Sequence, residues 1–255
     1  MTQTTPPLDF GKALRFFFED PKWVNKMVLG SLFTLLSIFF VGGFFVAGYV
    51  VRLTRRAAAG EEHPLPEWDD LGGIFTDGAR AIVVYLGHIL PLALLITLLA
   101  LAAGGAAASS HDAPDTLRIM AVLVMLAGYV LFTLVGIALF LYLPAAILRF
   151  ILHDRVAAAF DYRQNLLFIK RNLGNYGLAL ITFLAASFLA QFGIILFCIG
   201  IFPASFWSSA VFGYVMGEVA RRDTASAVAP GAPNETPPSP QAEGPRGASY
   251  TEFLP

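Results

Sequence analysis

Cysteine is almost missing from this sequence. Cys198 is the only one, so neither an internal disulfide nor a cysteine-based zinc site can form. It lies in the apolar run Phe197-Cys198-Ile199-Gly200, where a lone cysteine reads as a small buried hydrophobe. Charge is scarce too: Asp, Glu, Lys and Arg make up 14% of 255 residues, against about 25% in soluble domains. A net charge of −1 gives no purchase on nucleic acid or on an acidic substrate, and no nucleic-acid partner is expected. There is no glycine-rich phosphate loop, no calcium-loop spacing and no Ser/His/Asp or Cys/His arrangement that could share a site. The reading is therefore non-enzymatic, with no catalytic, metal-binding or cofactor-binding residue nominated and no cofactor implied. A cleaved leader is also not expected, because Asp9, Glu19 and Asp20 precede a first apolar run too long for a signal core.

Apolar residues are what the chain has in quantity. They form 56% of it, at a mean hydropathy of +0.67. Five stretches exceed or approach the ~20 apolar residues that cross a bilayer core. They run from Met27 to Val51, from Ala81 to Ala103 and from Ile119 past Tyr142 to Leu152, with two more fused between Tyr176 and Val219. Pro144 predicts a kink in the third, and Gly200-Ile201-Phe202-Pro203 predicts a hairpin between the last two. The fold class expected is all-α: a polytopic transmembrane helical bundle with interfacial amphipathic helices and a disordered C-terminal tail.

Two amphipathic pieces flank the spans. Leu8 to Glu19 carries Phe10, Leu14, Phe17 and Phe18 with Lys12 and Arg15 between them. Val156 to Leu173 carries Phe160, Leu167 and Phe168 among Arg163, Lys170 and Arg171. Each suits a helix in the headgroup layer, aromatic side down, or a helix packed on its own protein. The tail, 223–255, holds seven prolines among small and polar residues and has too little to bury to offset chain entropy. Within it Asn234-Glu235-Thr236 fits a glycosylation sequon, a weak match.

The membrane domain, 8–222, contains a candidate internal repeat, 10–56 and 160–222. A shift of 150 residues sets Phe10 on Phe160, Phe18 on Phe168, Asn25 on Asn175 and Phe33 on Phe183. Farther on, Gly48-Tyr49-Val50 matches Gly213-Tyr214-Val215, and a double arginine follows each. The repeat bears on whether the first apolar run crosses once or folds back at Gly42-Gly43. Folding back collects sixteen of the seventeen basic residues on one side, leaving Arg118 opposite, as the basic bias of cytoplasmic loops demands. Length opposes a full second crossing, since Gly43 to Arg52 rises only about 12 Å against a ~30 Å core. A re-entrant hairpin with both termini cytoplasmic satisfies both arguments, and a single crossing is the alternative.

Gly48 to Arg56, then Gly60-Glu-Glu-His-Pro-Leu-Pro-Glu-Trp-Asp-Asp70, then Phe75-Thr-Asp-Gly78, resembles a prokaryotic membrane family, domain of unknown function 4013. The likeness covers roughly residues 8 to 222. More distantly, the architecture is similar to the membrane domain of some glycerophosphodiester phosphodiesterases, whose catalytic barrel has no counterpart here. The resemblance implies membrane class and layout, and no activity.

Four groups of residues are candidates for chemistry. Glu61, Glu62, Glu67, Asp69, Asp70 and Asp77, with His63 among them, offer carboxylate oxygens to a cation or a partner. The structural readings there are an interfacial anchor at Leu65 and Trp68, and a helix cap at Asp69 or Asp70. His88 and Gln191 are the polar groups inside apolar runs, candidates for a solute path or for interhelical hydrogen bonds. Ser209, Gly213 and Gly217 form a ridge for close helix packing, within the chain or in a homo-oligomer. His111 and Asp112 read as solvated loop residues. The function expected is a membrane module that organises lipids or a partner protein at the cell membrane; the alternative is a small transporter or permease component.

Overall fold

The computed structural model describes residues 8–108, 115–195 and 199–228. Cys198, His111, Asp112 and the tail from 229, with its sequon, lie outside that range. Among the described residues there are helices and no strand. The long helices are α2 (Trp23–Leu36), α3 (Val41–Ala59), α4 (Leu71–Ala108), α5 (Asp115–His153), α7 (Leu173–Gln191) and α8 (Ile201–Val228). Two short ones, α1 (Phe10–Arg15) and α6 (Tyr162–Arg171), precede α2 and α7. An aspartate starts each short helix: Asp9 accepts from the Lys12 N–H at 3.0 Å and Asp161 from the Gln164 N–H at 3.1 Å. In both halves a short helix leads into a long one, a 3₁₀ turn and a second long one.

The first apolar run doubles back. α2 ends in a 3₁₀ turn at Ser37–Phe39, Phe40 takes a left-handed φ of 64°, and α3 returns alongside α2. Phe33 stacks on Phe45 at 4.5 Å, and the far ends meet again where Lys26 and Arg56 both donate to the Leu65 carbonyl. One straight crossing is thereby excluded. The reversal comes at Phe40 rather than at the glycine pair, and 84% exposure leaves Phe40 at an apolar tip beside Ile38, Phe39 and Val41.

Close packing centres on α3, which lies between α4 and α8. On the α4 side Gly48 and Gly78 let the backbones touch, because a Cβ at Gly48 would strike the Ile74 carbonyl and one at Gly78 the Phe44 carbonyl. On the α8 side Gly213 and Gly217 lie against Val50, Thr54 and Ala57. The small-residue ridge therefore packs inside the chain.

Among the described residues three helices are long and apolar enough to cross a membrane: Leu71–Leu98 within α4, Val122–His153 within α5, and α7 itself. The other two expected spans fall short of that measure. Trp23–Phe39 is apolar but shorter; α3 carries Arg52, Arg55 and Arg56, and α8 is diluted by Pro203, Ser205, Ser208, Ser209, Gly213 and Gly217 before its charges begin at Glu218. The boundary expected at Asp223 also moves, because α8 continues to Val228 and the Asp223 carboxylate accepts from Arg171 at 3.2 Å and Asn172 at 2.8 Å.

The aromatic residues of the two amphipathic pieces divide their duties. Phe16 stacks on Tyr214 at 4.1 Å and Phe17 is wholly buried against Phe206, fastening the N-terminal piece to α8. Phe168 meets Tyr176 edge-on. Phe10, Phe18, Tyr162, Leu166 and Leu167 stay exposed, an apolar surface suited to the headgroup layer.

Candidate functional site

The acidic stretch between α3 and α4 is stitched into the bundle. Asp70 accepts from the Gly73 N–H at 2.9 Å, so it caps α4, one of the two positions the sequence nominated. Its other oxygen receives Arg52 at 2.7 Å, while the Arg52 Nε donates to Asp77 at 2.9 Å. The Arg52 guanidinium, and then the Gly73 N–H, hold the Asp70 carboxyl below the usual carboxylate range. Glu61 pairs with Arg56 at 3.7 Å, and Glu67 with Lys22 at 3.4 Å and Lys26 at 3.2 Å. Lys26 and Asp20 form a buried ion pair at 2.8 Å. Glu62, His63 and Asp69 are exposed. Among the described residues no three His, Cys, Asp or Glu side chains gather as a metal site.

Trp68 and Leu65 correct the interfacial-anchor reading. Leu65 is buried, and Trp68 stacks on Tyr49 at 4.5 Å and on Phe33 at 4.9 Å, inside the α2–α3 hairpin. The indole N–H donates to the Lys26 carbonyl at 3.3 Å. The loop thus acts as a staple that holds the base of the hairpin.

His88 and Gln191 do not form a pair. His88 stacks on Phe160 at 4.5 Å, with Tyr142 at 5.6 Å and Tyr162 at 6.0 Å completing an aromatic wall. Its Nδ1–H donates to the Val84 carbonyl at 2.8 Å, leaving Nε2 buried without a partner among the described residues. Beside it Asn165 donates to the Tyr142 hydroxyl at 2.6 Å and the Ala159 carbonyl at 2.8 Å. Gln191 is exposed at the far end of α7. Contact with the amphipathic segment puts His88 near the charged end of the bundle.

Two adjoining apolar grooves open on the bundle. One, about 430 Å³, is walled by α4, α5 and α7, with Phe212 of α8. The other, about 330 Å³, is walled by α2, α3, α5 and α8, with Ala81 of α4 and Phe183 of α7. Pro144, Ile147, Phe183 and Phe212 border both. Sequence reasoning missed these spaces, which depend on how far α5 stands off from α3 and α8.

The family description protein of unknown function (DUF4013) matches residues 31–199. The chain belongs to this family. The match runs from the middle of α2 through α7, so the Arg52–Asp70–Asp77 bridge and most of the groove wall fall within the DUF4013 region, while α1 and α8 lie outside it. The wider likeness to phosphodiesterase membrane domains gains no support from this match. No curated protein and no solved structure matches this DUF4013 protein.

Proposed function

We propose that this protein is a non-catalytic, multi-pass module of the cell membrane that organises lipids or a partner protein, with both termini in the cytoplasm. The observation that carries the reading is the convergence of Lys26 and Arg56 on the Leu65 carbonyl. It returns the first hairpin to the end from which it started. Asp154 draws in Arg55 and Arg80 at that end, and Asp223 draws in Arg171. The opposite tips, at Phe39 and Phe40 and again at Phe192 and Ile199, are exposed and apolar. A charged face on one side, with apolar hairpins dipping from it, fits the basic bias of cytoplasmic segments. Most charges that could serve catalysis neutralise one another, which supports a structural role.

Crosslinking in native membranes, paired with solute uptake into proteoliposomes, tests this. The module reading expects a reproducible lipid or protein adduct and no protein-dependent uptake. Uptake that requires the protein would replace it with the transporter or permease reading.

A further inference from the structure

We propose that Arg149 of α5 and the amphipathic segment between α5 and α7 bind the phosphate of an anionic phospholipid at the charged end of the bundle. This deepens the membrane-module reading by naming a lipid class, and rests on it. Ion pairing sets these cations apart. On α2, α3, α4 and α8 every cation has a carboxylate partner. Arg149, Arg155, Arg163 and Lys170 have none among the described residues. The acids nearest to them in the chain are already engaged, Asp154 by Arg55 and Arg80, and Asp161 as the cap of α6. The N-terminal amphipathic piece lacks this excess of positive charge, because Asp9 and Glu19 accompany its unpaired Lys12 and Arg15.

Depth selects the occupant. The segment is tethered at both ends, since one apolar helix ends at His153 and the next begins at Leu173. It is therefore held at the surface of the bilayer, in the layer that lipid phosphates fill. Arg149 lies one turn before His153, about 6 Å inside the end of its span. It is half-buried, its Nε is sealed without an acceptor, and the rest of its guanidinium has no acceptor either. A cation so placed is costly until an anion meets it, and the oxygens of a phosphate match the guanidinium fork. On α6, Arg163 and Lys170 stand two turns apart, opposite the buried Asn165 and Phe168. Leu166 and Leu167 lie exposed to either side of them. A lipid offers those leucines its glycerol and upper chain while its phosphate meets the cations. A soluble anion would leave the leucines in water.

The test uses the full chain in phosphatidylcholine vesicles doped with a phosphatidylglycerol or a phosphatidylcholine that carries a diazirine close to its glycerol. After illumination, adducts are mapped by mass spectrometry. Peptides covering 149–173 should favour the phosphatidylglycerol probe about fivefold or more, the preference one basic residue confers near an anionic surface. Peptides covering 8–22 should show no such preference. Arg149→Gln with Arg163→Gln should abolish the preference at 149–173. Arg163→Gln with Lys170→Gln, confined to the exposed face of α6, should lower it. Adducts at the exposed Leu131 and Phe188, kept at wild-type yield, show that a variant is inserted. Equal labelling by both probes in the wild type would overturn the proposal, as would the same preference at 8–22 or one unchanged in both double variants. Millimolar inorganic phosphate, at constant ionic strength, should leave the preference in place; its loss would assign the site to a soluble anion and overturn the lipid. Uptake together with the preference would overturn the module reading alone; no uptake and no preference would overturn the lipid site alone.

Discussion

The Tyr176 hydroxyl sits in the opening that Pro144 makes in α5. It accepts a hydrogen bond from the Ala145 N–H at 3.2 Å and donates one to the Leu141 carbonyl at 2.8 Å. Proline removes one rung of the helical ladder and its ring pushes on the preceding turn. A side chain from α7 bridges the next rung and ties α5 to the second half of the chain. Tyr176→Phe leaves a buried donor and acceptor without this bridge, and the expected loss is about 1–3 kcal/mol. A thermal melt in detergent should fall by several degrees; an unchanged melt would mean the rung closes without the tyrosine.

The α3–α8 contact predicts a second effect. A Cβ at Gly217 would press on Ala57 and the Thr54 carbonyl. Gly217→Leu should force the two helices apart and cost ~1–3 kcal/mol or more. Size-exclusion chromatography should give the same oligomeric state for wild type and variant, since the ridge faces its own chain. A variant that loses only its oligomer, at wild-type stability, would contradict this packing.

The buried pair Asp20–Lys26 supports a third. Asp20→Ala strips the ammonium of its shortest ionic contact and leaves Glu67 and the Leu65 carbonyl. Removing one member of a buried pair typically costs ~3–5 kcal/mol, and the remaining partners set the expectation at the low end of that range. Denaturation in detergent checks it. A loss well under ~1 kcal/mol would show that Glu67 replaces Asp20 fully.

Acid sensitivity follows from Asp70, whose folded-state pKa is depressed by Arg52 and then by the Gly73 N–H. A depressed carboxylate contributes stability that is complete above its unfolded pKa, about 4, and is lost as pH falls through the lower folded value. The stability gap between wild type and Asp70→Asn should be constant from pH 7 to about 5 and shrink below about 4. Asparagine keeps the helix cap, so the gap reports the charge. A gap that widens in acid would reverse the sign of this account.

Much of the fold was legible because apolar length, proline and charge bias act locally. The doubling back, the break before Pro203 and the Asp70 cap all follow from short stretches. Tyr176 and Trp68 were not legible as a bridge and a staple, because their partners lie tens of residues away and nothing near them in the chain marks the contact. His88 looked deep in the membrane because only its own apolar run was in view. Phe160 from the amphipathic segment, far along the chain, folds over the histidine. The end of α8 was misjudged for a similar reason, since Asp223 looks like tail until Arg171 and Asn172 reach it.

The one-sided topology is tested most directly by single cysteines at Lys12, Glu62 and His111 in a Cys198→Ser background, probed in intact cells with a membrane-impermeant thiol reagent. Lys12 and Glu62 are exposed positions on either side of the first hairpin, and His111 lies between α4 and α5. The account predicts labelling at His111 only, with Lys12 and Glu62 reacting once the membrane is permeabilised. Labelling of exactly one of Lys12 and Glu62 in intact cells would put the two bases of the hairpin on opposite sides and contradict it.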